Sequence, residues 1–234
     1  MTNIKNCLIC GKKLKYFSRS IKVKCELCKK SYETLVTCED GHYICDKCHQ
    51  QDANEFIEKI SINTKIKDPI ELTLEIFKNK KIKLHGPEHH FLVPAVLLSS
   101  YYNTKGEFNK KEGKIKEARK RAEKILGGFC GSHGVCGAAI GNGTFISLIT
   151  NATPLSEDEW KLSNQITART LEKISDIGGP RCCKRNTIIA ILTALDFIKE
   201  KFNLEIKTNK KYKCSYSNLN QECIKQRCPY YIKN

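Results

Sequence analysis

Residues 25–48 read "CELCKKSYETLVTCEDGHYICDKC", and this stretch decides the fold of the N-terminal part of the chain. It carries three closely spaced pairs of metal-ligating side chains, and a fourth pair lies just upstream. A CxxC pair places two thiolates on one side of an ion, and a tetrahedral zinc ion needs two such pairs. Four pairs therefore predict two complete zinc sites. The candidate ligands are Cys7, Cys10, Cys25, Cys28, Cys38, His42, Cys45 and Cys48.

The ligand spacing within residues 25–48 resembles the first six ligands of a RING or treble-clef module. The GHYIC turn and the CxxC pair that opens a helix carry this resemblance. The usual last ligand pair is absent downstream, so the resemblance implies that Cys7 and Cys10 supply it from upstream. The ligand sets would then interleave along the chain, with Cys25, Cys28, Cys45 and Cys48 on one ion and Cys7, Cys10, Cys38 and His42 on the other. A sequential pairing, with Cys7, Cys10, Cys25 and Cys28 on one zinc, stays open.

Beyond the ligand pairs, the apolar residues recur at helical spacing and few alternating runs occur. The chain is therefore expected to be mainly α, with a small N-terminal double-zinc treble-clef or RING-like module at residues 1–55. A cysteine-rich, all-α helical domain should follow at residues 65–234. Asp68 and Pro69 begin one predicted helix, and Ser156 with Glu159 forms a capping box for another.

A further helix is predicted over residues 110–126. Its apolar residues fall on one face and several lysines on another, which is the pattern of an amphipathic surface helix. The predicted buried face comprises Ile115, Ala118, Ala122, Ile125 and Leu126, and the solvated face comprises Lys116, Lys120 and Lys124. In the next apolar helix, Gly141 and Gly143 predict close approach by another backbone or a ligand.

Composition narrows the function classes. The 234 residues contain 14 cysteines, no run of eighteen apolar residues, and a start, "MTNIKNCLICGKK", that lacks the features of an export signal. We therefore expect a cytoplasmic protein with reduced cysteines and no membrane association. The formal charge of +16 raises nucleic acid as a partner, but only seven of the 41 basic residues are Arg. Two zinc-thiolate sites would lower the charge to about +13, so nucleic acid is not the favoured partner.

Two glycine-rich helix starts carry further sulfur, at residues 129–143, "FCGSHGVCGAAIGNG", and 178–186, "GGPRCCKRN". A helix N-terminus offers free N–H groups and a positive dipole, which lower the pKa of a thiol and stabilise anions. The catalytic candidates are Cys136 and Cys183 as thiolates and His133 as an acid or base beside them. Arg181 and Arg185 are the candidates for binding an anion, with Lys184 adding charge between them.

The second domain holds enough cysteines for a metal cluster. A [4Fe–4S] cluster takes four ligands, mostly cysteine, and this domain offers seven. Neighbouring side chains on a helix diverge by about 100°, so Cys182 and Cys183 should not both bind one ion. Whether these cysteines bind iron, zinc or nothing stays open. The candidate cluster ligands are Cys130, Cys136, Cys182, Cys183, Cys214, Cys223 and Cys228.

Three segments in the helical part, together with the N-terminal knuckles, resemble an uncharacterised domain-of-unknown-function family of anaerobic bacteria and archaea. The segments are "HHFLVPAVLLSSYYN", "CGSHGVCGAAIGNGTFIS" and "GGPRCCKRNTIIAI". The resemblance implies no activity, but members sometimes accompany a methyltransferase domain, and this chain has no GxGxx unit of its own. A weaker likeness, carried by Cys136-Gly137-Ala138-Ala139, is to cysteine-rich helical redox proteins with a C-GCAxxG-type motif.

Two hypotheses follow from the sequence. In the first, the protein is an enzyme of sulfur or redox chemistry that uses a cysteine-ligated iron–sulfur centre in the helical domain. In the second, it is a zinc-dependent adaptor that binds nucleic acid or a methyltransferase partner and has no catalysis of its own. Both include two zinc ions, and only the first includes a [4Fe–4S] cluster.

Overall fold

The computed structural model describes residues 7, 10, 12–26, 28–209 and 211–232, with the backbone alone at residues 49–52. The described chain is mainly helical and contains one small two-stranded sheet, which confirms the predicted fold class. It divides into two compact units, unit 1 at residues 1–51 and unit 2 at residues 52–234. None of the described helices is both long and apolar enough to cross a membrane.

Unit 1 is built on an antiparallel hairpin. Strand β1 (Leu14–Lys24) pairs with strand β2 (Ser31–Cys38), from Leu14 opposite Cys38 to Lys24 opposite Ser31, with an irregularity between Tyr16 and Ile21. Helix α1 (Asp46–Asn63) begins in this unit. The buried residues among the described positions 7–48 are Cys7, Cys25, Thr37, Cys38 and Cys45. The described interior of unit 1 therefore consists almost entirely of ligand sulfurs rather than hydrocarbon.

Unit 2 is a helical bundle that ends in an irregular tail. Two short 3-10 helices, at Ser217–Leu219 and Lys225–Arg227, lie in the tail, where Cys214 makes an isolated bridge with Tyr231. The helices that follow α1 are α2 (Pro69–Phe77), α3 (Glu88–Lys105), α4 (Phe108–Ala122), α5 (Phe129–Ser132), α6 (Gly137–Thr150), α7 (Asp158–Ile177) and α8 (Cys183–Phe202).

Helix α3 lies at the centre of unit 2. It is buried along almost its whole length and packs against α2, α4, α6 and α8. A helix that is apolar on all sides has no solvent face, so it must be surrounded by other elements. Asn142 on α6 ties the bundle together, because its buried amide donates to Thr170 Oγ1 on α7 at 2.8 Å and to the Ala190 carbonyl on α8 at 2.8 Å.

Local helix signals are confirmed in part. The Asp68 carboxylate accepts from the N–H groups of Ile70 and Glu71 and caps α2 as predicted. The capping box at Ser156 is wrong: α7 begins one residue later, after Glu157, and the Ser156 hydroxyl instead accepts from the Thr153 N–H at 3.0 Å. The Ser156 side chain is used in a local turn and does not cap α7.

The amphipathic helix α4 also departs from its predicted end. Ile115, Ala118 and Ala122 are buried as expected, but α4 ends at Ala122. Ile125 and Leu126 therefore lie outside the helix, and Leu126 is 53% exposed. The turn towards Gly128 removes them from the apolar face.

The glycines of α6 allow close helix packing. A methyl group added at Gly141 would meet the Pro94 ring at 2.9 Å and Val93 Cβ at 3.1 Å on α3, whereas one added at Gly143 would overlap Thr167 Oγ1 on α7. The Pro94 ring is rigid, so a clash there cannot be relieved by rotating a side chain. Both glycines therefore mark points where α6 closely approaches its neighbours.

Gly141→Ala should destabilise unit 2 by about 1–3 kcal/mol, because overpacking a close helix contact forces the backbone to shift. Gly113→Ala provides the control on α4, where an added methyl group meets no atom within 4 Å. This control should stabilise the protein by up to about 1 kcal/mol, since alanine is the better helix former. Urea unfolding followed by helical circular dichroism measures both, and equal effects of the two variants would contradict the packing explanation.

Candidate metal centres

The eight N-terminal ligands form two groups that could each hold a metal ion. One group is Cys7, Cys10, Cys38 and His42, and the other is Cys25, Cys28, Cys45 and Cys48. Within each group the ligand atoms all lie within 4.8 Å of one another. The structure thus shows the interleaved arrangement and not the sequential one. The hairpin explains why: β2 carries Cys38 back beside the start of β1, where Leu14 pairs with it.

The spacing of the ligand atoms fits tetrahedral coordination. Four sulfurs at about 2.3 Å from a zinc ion would lie about 3.8 Å apart. The Sγ atoms of Cys10 and Cys38 are 3.8 Å apart, and those of Cys28 and Cys45 are also 3.8 Å apart. His42 Nδ1 lies 3.4 Å from Cys38 Sγ, which identifies Nδ1 as the nitrogen that would bind. Both groups are compatible with zinc.

A second collection of cysteines lines a cavity in unit 2. Cys182 contributes from the start of α8, and the tail supplies Cys214, Cys223 and Cys228. Tyrosine rings from the tail and Leu84 complete much of the wall. Sequence separation between Cys182 and the tail is large, so only the tertiary fold brings these four thiols together. The tyrosines in the wall are Tyr212, Tyr216 and Tyr230.

Two of the four cavity sulfurs, those of Cys214 and Cys223, accept a backbone N–H hydrogen bond. Tyr216 donates to Cys214 at 3.4 Å and Lys225 to Cys223 at 3.4 Å, in both cases from two residues further along the chain. The Tyr230 N–H lowers the pKa of the Cys228 thiol, against the rise that burial causes. The N–H groups of Lys12 and Lys30 lower the pKa of Cys10 and Cys28 in unit 1, again from two residues further along the chain. At Cys182 the nearby donor is the side-chain amide of Asn220, at 3.9 Å from Sγ.

The cavity thiols differ in arrangement from the two ligand groups of unit 1. Within the residues that the structure describes, only the two groups of unit 1 bring three or more ligand atoms within 4.8 Å of one another. The four cavity thiols therefore do not have the compact arrangement that the ligand atoms of the two groups in unit 1 have.

Two cationic side chains face this cavity. Lys184 is 2% exposed, and burial lowers its pKa to about 8, while Glu88 opposes that shift. The Arg185 guanidinium is also buried, but it donates to the carbonyls of Gly178 and Pro180 and to Asn186 Oδ1. Arg185 therefore holds the 178–180 loop as well as lining the cavity, and anion binding by it stays a prediction.

Cys136 and Cys183 lie outside the lining of the cavity. Cys136 Sγ accepts from the Asn186 amide at 3.4 Å, and Asn186 is one helical turn beyond Cys183 on α8. The Gly86 N–H lowers the pKa of Cys183, but other effects outweigh it. Burial raises the pKa of Cys183 to about 12, and the nearby Cys136 contributes to the rise. The expected lowering of this pKa at a helix N-terminus is therefore wrong, because desolvation of a buried thiolate outweighs the helix dipole.

The remaining candidates are solvent-exposed. Cys130 and Arg181 are exposed, and neither lines the cavity. His133 is also exposed; its ring hydrogen-bonds to Ser132 at 2.8 Å and packs on Phe129. Helix α5 thus places Cys130 on the surface, whereas Cys136 lies near Cys183. The acid–base role of His133 stays a prediction.

Several residues of the site escaped the sequence analysis. Glu88 is fully buried; its Oε1 accepts from the Lys83 N–H at 2.9 Å, and its Oε2 has no hydrogen-bond partner in the described structure. It lies near Cys183, whose pKa it raises. The tail tyrosines could have been found, since Cys214-Ser-Tyr216 and Cys228-Pro-Tyr230 repeat one pattern. Glu88 gives no such signal.

Comparison with known proteins places the chain in a family without assigning a role. No curated protein and no solved structure matches it. A family model, described as a family of unknown function, matches residues 57–231. The match covers most of the chain, including every cysteine of unit 2, and starts after the ligands of unit 1. The chain belongs to the family of unknown function DUF5714.

Proposed function

We propose that unit 2 is an enzyme domain of redox or sulfur chemistry that binds a [4Fe–4S] cluster at Cys182, Cys214, Cys223 and Cys228. The observation that carries the proposal is the convergence of these four cysteines on one cavity, where two of their sulfurs accept backbone N–H bonds. Iron–sulfur clusters are held by four thiolates, and hydrogen bonds to the sulfurs tune them. When bound, such a cluster accepts and releases single electrons.

The protein residues around the cavity fit this group. The tyrosine rings of the tail line the cavity together with the cysteines, and burial raises the pKa of Tyr230 to about 12, so its hydroxyl stays protonated near neutral pH. Asn220 Nδ2 lies 3.9 Å from Cys182 Sγ and orients its amide towards this thiol. A buried ammonium, on Lys184, supplies positive charge beside four groups that become negative on metal binding.

Cys136 and Cys183 are the proposed reacting thiols. Cys183 follows Cys182 directly, so it is one residue from the cavity, and the two side chains diverge at the start of α8. The Glu88 carboxylate near Cys183 adds to the rise in the pKa of this thiol, and one of its oxygens has no hydrogen-bond partner among the described residues. Sulfur chemistry at Cys183 would thus begin with a protonated, desolvated thiol.

The two metal sites of unit 1 are proposed to hold zinc with a structural role. All four ligand positions are supplied by the protein in each site, which leaves no open position for a substrate. Zinc also matches the three-cysteine, one-histidine and four-cysteine donor sets.

A second function, nucleic-acid docking by unit 1, is favoured by one observation. Strand β1 carries four basic and no acidic residues, and its Tyr16 is 69% exposed. Basic side chains beside exposed aromatic rings suit single-stranded nucleic acid. The lysine-rich helix α4 supports this function less, since Lys116 and Lys120 pair with Glu112 and Glu117. Binding of a methyltransferase, the other partner of the adaptor hypothesis, stays a proposal.

Metal analysis of the full chain purified without oxygen tests the proposal. We expect about two zinc, four iron and four acid-labile sulfide per chain. Two zinc without iron would overturn the cluster and favour the adaptor, and three zinc would place a single ion in the cavity. Binding of single-stranded RNA or DNA that weakens steeply with salt would support the adaptor function.

A further inference from the structure

Among the described residues of unit 2, Lys184 is a buried cation without a hydrogen-bond partner. Its ammonium nitrogen lies 3.9 Å from the centroid of the Phe77 ring and 4.3 Å from that of the Tyr216 ring. The residue is 2% exposed, and no described residue forms a hydrogen bond with its Nζ. Lys184 lines the same cavity as the four cysteines.

Burial of an ammonium group is costly unless opposite charge compensates it. The two aromatic faces offset part of the cost. Glu88 attracts the ammonium as well, but no oxygen of Glu88 is within hydrogen-bond distance of Nζ in the described structure. Neutral thiols would offset little of the remaining cost of burying the ammonium. Thiolates on a metal cluster would add the missing negative charge in the cavity that the ammonium lines.

The other cationic side chain of the cavity wall already donates hydrogen bonds to the protein. Arg185 donates to two loop carbonyls and to Asn186, so its N–H groups are directed at the protein. Lys184 differs because its ammonium has no acceptor among the described residues while its surroundings exclude water. The Arg185 charge also lowers the pKa of Cys182 and of Cys228, so both cations act on the cavity, and Lys184 is the one whose ammonium has no hydrogen-bond acceptor among the described residues.

We infer that Lys184 is a positioning residue for the cluster, the fixed counter-charge that stabilises the reduced state and so sets the reduction potential. This inference rests on the proposed function. With a cluster bound at the four cysteines, reduction by an external one-electron donor would make the site more negative by one charge. A nearby positive charge favours that product in a low-dielectric site. Net charge near a cluster is one of the determinants of its potential.

Potentiometric titration with dithionite and viologen mediators, followed by electron paramagnetic resonance, tests the inference on the full chain. The variants are Lys184→Met, which removes the charge, and Lys184→Arg, which retains it. Lys173→Met on α7 is the matched control, because Lys173 is exposed and pairs with Asp196 on the surface. Iron content and helical circular dichroism are recorded for each.

We expect the equilibrium constant for one-electron reduction to fall at least ten-fold in Lys184→Met, which is about 59 mV for a one-electron couple. Lys184→Arg should restore most of the loss, and Lys173→Met should change nothing. An unchanged potential in an iron-loaded Lys184→Met protein overturns the inference alone.

Failure to load iron is also decisive. If Lys184→Met loses the cluster but Lys184→Arg keeps it, the requirement for charge is supported. If both lose the cluster while the fold persists, shape rather than charge matters, and the inference is wrong. Absence of iron from the unmodified chain overturns the proposed function together with the inference.

Discussion

Removal of the two metal ions from unit 1 should unfold the hairpin while the helices of unit 2 persist. The buried residues of the described positions 7–48 are four ligand cysteines and Thr37, so no hydrocarbon core remains there when the ions leave. A structural zinc ion contributes about 10–16 kcal/mol of apparent binding free energy, and a whole domain is stable by only about 5–15 kcal/mol. The binding free energy lost with the two ions therefore exceeds the free energy of unfolding expected for unit 1.

The measurement combines a chromophoric chelator with amide spectra. We expect two zinc ions to be released per chain, with collapse of the amide signals of β1 and β2. The amides of α3, buried in unit 2, should keep their positions. Cys25→Ser and Cys38→Ser should each lower the zinc content, and Cys130→Ser is the matched control because Cys130 is exposed and belongs to neither group. A hairpin whose spectrum survives complete chelation would contradict the metal-based fold.

Cys182→Ala should lose nearly all iron, whereas Cys183→Ala should retain it. The two residues are neighbours at the start of α8, and both are half-buried, so their replacement disturbs the helix to a similar degree. Only Cys182 lines the cavity with the tail cysteines, and its sulfur accepts from the Asn220 amide at 3.9 Å. Three remaining thiolates hold a four-iron cluster poorly, because one iron is left without its protein ligand.

Iron and sulfide analysis of anaerobically purified protein measures this difference. Fluorescence of Trp160, the single tryptophan of the chain, reports on the fold of unit 2 in both variants. Cys183→Ala should instead lose the sulfur chemistry proposed for this thiol while its cluster spectrum is unchanged. Equal loss of iron in the two variants, or iron retained in Cys182→Ala, would show that the cavity is not the binding site.

The zinc ligands illustrate what spacing can predict. Each CxxC or CxxxH pair is a local geometric unit, so residues such as Cys45 and Cys48 can be recognised without knowing the fold. Spacing did not show which two ligand pairs share one ion. Both arrangements stayed open until the strand register brought Cys38 beside the start of β1. The capping motif at Ser156 failed for a related reason, because a competing hydrogen bond with Thr153 was available.

The proposed cluster ligands illustrate what spacing cannot predict. The sequence indicated seven candidate cysteines in unit 2 and could not separate the four of the cavity from Cys130, Cys136 and Cys183. The tail spacing matches no common knuckle, so its role depends on where the tail packs. The pKa of Cys183 was expected to be low from its place at a helix start, yet its burial raises the pKa to about 12. Desolvation depends on neighbours that are distant in sequence.

By itself the sequence determined the mainly helical class, the eight ligands of unit 1 and the close packing at Gly141 and Gly143, because periodicity, ligand spacing and a missing side chain are local properties. Only the tertiary structure decided which thiols line one cavity and which buried charged group lacks a hydrogen-bond partner among the described residues. Cys182 and the tail cysteines reach one cavity because the tail folds back over the start of α8, and Lys184 loses its water only when Phe77 and Tyr216 close around it. Contacts of this kind depend on the whole packed chain, since no local pattern encodes the distance between two segments far apart in sequence.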